Sequence, residues 1–476
     1  MQIEAIGMIT IVLGLIGWFA GQRFVLPVLV ISTLLAASAA LILTSLGGAN
    51  IQPAYVLLGF AALAFVASRD TVRRAGAALV FPSPGFWLLL TAAYATLSAI
   101  FLPRILAGAT YVFAIARTEL GPGIVSMPLE PTSGNITQSV YFLGDVVCFL
   151  VFYEAGSRAD GLMTVVKAVI AATAVNLCFA AIDMGSYWTG LGDVLAVIRN
   201  GSYRMLNDAT VLGFKRIVGS FPEASTFAYF TAGFFAFCAS LSLDGIRPRL
   251  TGPLALLSLV ALVFSTSSTG YAATSGFLAL FFITSLARVL SGSVRRAMLI
   301  AVAVLPLVVG AGLTALRLDP PLWRTFNDVV DATIFDKMSS GSGIERARWN
   351  DQALINFTDT QGFGAGTGSV RASSFPIAVL ANIGAFGALT YGIFLLQVLL
   401  GRTDRWPHPF PASCQNAARW ACLAQLVGAS VAGSFIDLGL PFFVFAGLAC
   451  ARPARARAPS PVPLAANAVA IVSEGS

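Results

Sequence analysis

Charge is scarce in this sequence. Only 11% of its 476 residues are Asp, Glu, Lys or Arg, against about 25% in a soluble domain, which excludes a soluble enzyme and a disordered chain. Histidine is scarcer still. His408 is the only one, so imidazole-based metal binding or acid–base chemistry has a single residue to draw on. The six cysteines, Cys148, Cys178, Cys238, Cys414, Cys422 and Cys450, lie scattered, mostly in apolar runs, with no C-x-x-C pair. They read as small core residues, with no disulfide framework and no metal site. The first ten residues lack a basic region and a small-residue cleavage site, so the first apolar run is expected to stay as a membrane span.

What is present is apolar: 57% hydrophobic residues and a mean hydropathy of +0.82. At about 20 residues per spanning helix there is room for roughly a dozen spans. Uncharged runs of that length, in place of short alternating segments, argue for helices over a β-barrel. Thirteen runs are expected to span, near residues 5–21, 24–46, 51–67, 85–102, 139–153, 162–183, 223–242, 251–266, 270–287, 297–315, 375–400, 419–436 and 438–450, the last being short. The expected fold is an all-α polytopic membrane protein, with residues 1–450 forming one transmembrane domain of about 12 to 13 helices.

The net charge of +7 is no sign of nucleic acid here, because basic side chains of membrane proteins collect in cytoplasmic loops. Arg23, Arg69, Arg73, Arg74, Arg158, Arg247, Arg249, Arg288, Arg295, Arg296, Arg402, Arg405 and Arg419 alternate along the chain into short loops of one side, which is therefore read as cytoplasmic. Residues 451–476, rich in Ala, Pro and Arg, read as a disordered cytoplasmic tail. Lys167, near a helix end, and the arginines of the tail join that side, and the other basic residues fall on three long outer segments, 103–138, 184–222 and 316–374. Arginine placed outward against this bias calls for a reason. No internal repeat is visible, which disfavours inverted-repeat transporters.

In the third outer segment, Trp323, Phe326, Val330, Ile334 and Met338 recur at helical spacing. They predict an amphipathic helix over 321–338, packed as a lid on the membrane domain. Ser342 and Glu345 form an S-x-x-E capping box that predicts a helix from Gly343, with Arg346 and Trp349 three apart on one face. Gly362, Gly364, Gly366 and Gly368 follow at alternate positions, and Arg371 after them. Two readings stand for that loop: close backbone approach to an anion, or a hinge into the next span. The second segment ends with Lys215, Arg216 and Glu223. Glu223 either caps or pairs structurally, or serves as a general base beside the arginines. Asp145 and Asp437, inside apolar runs, are either functional or paired with a neighbouring helix.

Three stretches resemble one family: Ser342-Gly-Ile-Glu-Arg346 through Trp349 to Ala353, then Gly362-Phe-Gly364-Ala-Gly366, then Leu380 to Gly384 and Gly387. With Arg216-Ile-Val-Gly219-Ser-Phe221-Pro-Glu223 they are similar to the motifs of the O-antigen polymerase and O-antigen ligase superfamily. The resemblance implies a GT-C-like, metal-independent glycosyltransferase without cofactor, at the periplasmic face of the bacterial inner membrane. Its substrate would be an undecaprenyl-diphosphate-linked oligosaccharide, with a flippase and chain-length or export proteins as further partners.

By motif position, Arg216 and Arg346 would bind the diphosphate, with Lys215 and Arg371 beside them. Glu223 and Arg346 would be catalytic, and Gly364, Gly366, Gly368 and Trp349 would support the site. Ligases of the family carry a histidine ahead of the glycine-bearing helix, where this chain has Ser373. That favours a polymerase of O-antigen or exopolysaccharide over a ligase. A lipid-linked oligosaccharide flippase or transporter is the alternative from another class.

Overall fold

The computed structural model describes residues 2–43, 49–118, 121–201, 205–292, 296–335, 341–401 and 409–453. His408, Met338, Gly47, Gly48 and the tail beyond residue 453 lie outside them. The described chain is mainly helical. Helices α1 (Ala5–Ala20), α2 (Gln22–Ser32), α3 (Pro53–Val66), α4 (Arg69–Leu79), α5 (Pro84–Ile105), α6 (Ser133–Gly156) and α7 (Ala159–Thr189) make up its first half. Then come α8 (Ala224–Leu243), α9 (Pro248–Phe264), α10 (Ser268–Leu290), α11 (Arg296–Leu318), α12 (Pro320–Val330), α13 (Gly341–Asp359), α14 (Phe375–Leu400), α15 (Pro409–Ala432) and α16 (Leu440–Cys450).

Among the described residues, six helices are long and apolar enough to cross a membrane: α5, α6, α7, α8, α10 and α14. Two bent pairs, α3 with α4 at 105° and most of α11 with α12 at 115°, raise this to eight. The thirteen expected spans therefore overcount, because apolarity marks burial against protein as well as against lipid. At 1.5 Å per residue, α2 and α16 reach only about 16 Å, roughly half a bilayer core.

The run 24–46 is a clear departure. Its helix stops at Ser32, and the chain continues as turns into a strand, Leu41–Leu43, which pairs antiparallel with Gln2–Ile3 and with Ala49–Ile51. A short apolar run does not reveal by its pattern whether it is helix or strand. The buried non-helical backbone is satisfied from elsewhere: Ala37 N–H bonds to Ser220 O, and the Asn200 amide bonds to both N–H and C=O of Ala39.

Helix α8 sits at the centre, packed against α9, α10 and α15. Phe227, Phe234 and Phe237 on it are fully buried, as expected of a helix that is apolar all round. Helix α6 is anchored by polar contacts at both ends. Asn135 at one end donates to Thr367 O at 2.7 Å, and Glu154 at the other pairs with Arg74 at 2.6 Å and Arg158 at 3.1 Å. Nineteen residues of helix separate those ends by about 28 Å, and the long loops gather at the Asn135 end.

Two of these loops carry strands that the sequence did not announce. Tyr111–Thr118 pairs with Gly121–Pro128 as a long hairpin, and Thr210–Val211 pairs with Phe214–Lys215. Helix α13 begins at Gly341, two residues before the expected start, so Ser342 lies inside it. The expected lid helix is α12 followed by a π-helical turn over Asp331–Phe335, and no residue of α12 is buried. Trp323 and Val330 are half-buried and Thr333 in the π-helical turn is buried, so its face is only partly covered. Its aromatic face consists of Trp323 stacked with Phe326, with Arg317 over the Trp323 ring.

Candidate functional site

The second long loop is fixed by a buried carboxylate. Asp183, near the end of α7, accepts from Arg199 Nη2 at 2.8 Å, from Lys215 Nζ at 3.3 Å, and from the backbone N–H groups of Val218 and Gly219 at 2.9 and 3.1 Å. Arg199 also reaches Asp193 Oδ1 at 2.8 Å and Gly219 O at 3.1 Å. With both signs present and most donors partnered, the buried cluster is compensated.

Lys215 belongs wholly to this network. It is 4% exposed, and its ammonium donates to Asp183, Asn207 O and Arg216 O. An ammonium has three protons, so none is left for a phosphate. Lys215 is a structural residue, contrary to the sequence expectation.

Arg216 points the other way. Its Nε and Nη2 donate to Ser265 O at 3.3 Å and Thr266 O at 3.2 Å, where α9 ends. A cation there is favoured by the helix dipole. Thr266 is held at φ 44°, a left-handed conformation that a β-branched residue rarely adopts.

Glu223 is the N-cap residue of α8, yet its side chain makes no cap hydrogen bond. It accepts instead from the Ser225 hydroxyl. Among the described residues it forms no ion pair, so neither capping nor close pairing accounts for it.

The glycine loop is neither hinge nor open anion nest. Gly362, Gly364, Gly366 and Gly368 all have positive φ, but the backbone they form is clasped by its neighbours. Ala365 N–H bonds to Ala381 O and Gly366 N–H to Asn382 O. The Asn382 side chain accepts from Val370 N–H and donates to Val370 O and Ala378 O, and Asn135 holds Thr367 O and Ser369 Oγ. A Cβ on Gly364 would lie 2.6 Å from Gly384 N. Gly384 itself breaks helical geometry within α14, with φ 60°, and its amide region fits against Gly362 and Phe363. These two glycines let loop and helix backbones touch.

The clasp delivers Arg371. Its N–H bonds to Phe113 O on the long hairpin, and its guanidinium lies between two rings, 5.3 Å from Trp349 and 5.5 Å from Phe435. Nε of Arg371 is buried without a hydrogen-bond partner. Trp349 comes from α13, which is tied to the hairpin by Gln352 and Asn356, both donating to Tyr111 O. Arg346, one turn earlier on α13, makes no hydrogen bond or ion pair among the described residues.

Electrostatics ties these groups together. Burial lowers the pKa of Arg216, Glu223 opposes that shift, and Arg346 adds to it by like charge. Arg371 is lowered by burial in the same way, with Glu223 opposing and Arg346 adding. Glu345 also opposes the shift of Arg371, so Arg216 and Arg371 each feel Arg346 and Glu223, and three arginines stand against two carboxylates. Such a place attracts an anion with oxygens able to take several N–H donors, as a diphosphate has.

Arg371 meets Trp349, and Glu223 and Arg346 act electrostatically on both Arg216 and Arg371, while Lys215 is not available. Asp183, Arg199, Asn382 and Phe435 were missed. Asp183 carried a signal, since it is an acid at the edge of the apolar run 162–183. Among the described residues no cluster of His, Cys, Asp or Glu fits a metal ion. No family model, curated protein or solved structure matches this chain.

Proposed function

We propose that the protein is a glycosyltransferase that polymerises undecaprenyl-diphosphate-linked repeat units into exopolysaccharide or O-antigen at the periplasmic face of the inner membrane. The observation that carries the reading is the convergence of Arg216, Arg346 and Arg371 on one field, with a buried Arg371 Nε that has no partner. In this reaction a sugar hydroxyl of the incoming unit attacks the anomeric carbon of the growing chain. The bond from that carbon to the diphosphate oxygen breaks, and undecaprenyl diphosphate leaves. Guanidinium groups fixed in advance stabilise the charge that develops on it, and Glu223 takes the hydroxyl proton.

The test is reconstitution. Purified protein in liposomes, given the lipid-linked oligosaccharide of its host, should yield polymer and free undecaprenyl diphosphate in step, and no polymer at all would reject the reading. A cysteine at Ser342 should also react with an impermeant thiol reagent in intact cells, and one at Ser413 should not. A second reading, a proton-coupled transporter of the same lipid-linked substrate, is favoured by the buried acids Asp145 and Asp437. It predicts substrate movement driven by a pH gradient, with no change in chain length.

A further inference from the structure

Helix α15 ends at Ala432 and α16 begins at Leu440, and the segment between them is not helical. It starts at the arginine site: Ala372 N–H bonds to Ser434 O, and the next residue, Phe435, carries the Arg371 guanidinium. It then runs inward to Asp437. Asp145 lies ten residues along α6 from Asn135 and nine before Glu154, so it sits about 15 Å from either end, at mid-depth of the domain. Asp437 faces it: three residues beyond each acid, Cys148 Sγ of α6 meets Leu440 O of α16, and each of the two carboxyls acts on the other electrostatically. Helix α16 therefore starts deep inside. Irregular backbone at that depth occurs where it is enclosed by protein and serves a site.

Asp145 is fully buried, and neither of its carboxylate oxygens has a hydrogen-bond donor. The facing group is another carboxylate. Two ionised carboxylates are acceptors only, so the contact lacks a hydrogen bond unless one of them carries a proton. Among the described residues no Lys, Arg or His forms an ion pair with them. The titratable groups coupled to the pair are Tyr55 on α3, Tyr141 and Cys148 on α6, Tyr229 on α8 and Tyr391 on α14.

A metal cation fits poorly. The carbonyls flanking Asp437, Ile436 O and Leu438 O, already accept from Tyr391 and Tyr229 hydroxyls, and Asp437 Oδ1 accepts from Gly439 N–H at the start of α16.

We propose that Asp145 and Asp437 form a proton-binding site, in which one proton is shared between the two carboxylates. Losing that proton sets two negative charges against each other at mid-depth. Asp437 then has reason to move, and Phe435, two residues away, moves with it. Proton occupancy is thereby coupled to the seat of Arg371.

Infrared spectroscopy of the full-length protein in lipid nanodiscs tests this independently of any activity. At neutral pH a carboxylic-acid C=O band should be present, shift on exchange into deuterated water and disappear in Asp145→Asn, whose amide can donate to Asp437. Asp437→Asn should remove the same band and serves as the check if the first variant folds poorly. Absence of the band in the wild type overturns the proposal, as does its persistence in both variants. Loss of the wild-type band on adding sodium would overturn it in favour of a cation site.

Discussion

Arg371 and Trp349 form a cation–π pair across two separate segments, with the guanidinium carbon 5.3 Å from the ring centroid. The pair joins the clasped glycine loop to α13, the helix that also carries Arg346. It positions one arginine while leaving its Nε without a protein partner.

Arg371→Lys keeps the charge but loses the planar, two-pronged donor. It should lower the rate of polymer formation by about a hundredfold, the scale for one removed transition-state donor, at unchanged protein abundance. Trp349→Leu should act in the same direction and more weakly, since a cation–π contact contributes about 0.5 to 2 kcal/mol. Polymer length on gels, normalised to protein, is the measurement.

Glu223→Gln removes the only acid in the shared field of Arg216 and Arg371 that is common to both. Polymer should be lost while abundance stays normal. Normal polymer length in this variant would remove Glu223 from the mechanism and leave the arginines acting on an activated donor alone.

Asp183→Asn should behave differently, because its role is to hold Arg199, Lys215 and the Val218–Gly219 backbone in place. Breaking a buried ion pair by removing one partner costs about 3 to 5 kcal/mol. A lower Tm of the purified protein is expected, with loss of activity following the loss of fold. Lys215→Gln should also destabilise, less than Asp183→Asn, since Arg199 still satisfies Asp183.

Gly384→Ala would force a Cβ into the Gly362 and Phe363 backbone at a positive φ. Abundance should fall severely. Gly392→Ala, in the same helix with nothing near its missing Cβ, should be neutral or slightly stabilising, because Ala favours helix. Equal abundance of the two variants would show that the clasp does not constrain the fold.

Much of the membrane architecture was legible from hydropathy alone, because long apolar runs have few alternatives. The short ones were not. Most of residues 25–40 and of α16 are buried in protein, and composition does not separate that from lipid. Arg216, Arg346, Arg371 and Trp349 could be singled out in the sequence, since basic residues on long loops and a helical spacing of Arg346 and Trp349 both leave local signals. Lys215 misled because its neighbour in sequence faces the opposite way, and its partner Asp183 lies on a different helix. The clasp was visible as glycines, but only the meeting of Gly364 with Gly384 explains why they are needed.

In the proposed reaction Arg346 shares one anion with Arg216 and Arg371. The most direct measurement compares wild-type and Arg346→Lys protein, purified and supplied with lipid-linked oligosaccharide, by the rate of undecaprenyl diphosphate release and the length of polymer made. A sharp fall in both, with Tm unchanged, is the predicted result; full-length polymer released at the wild-type rate by Arg346→Lys would contradict it.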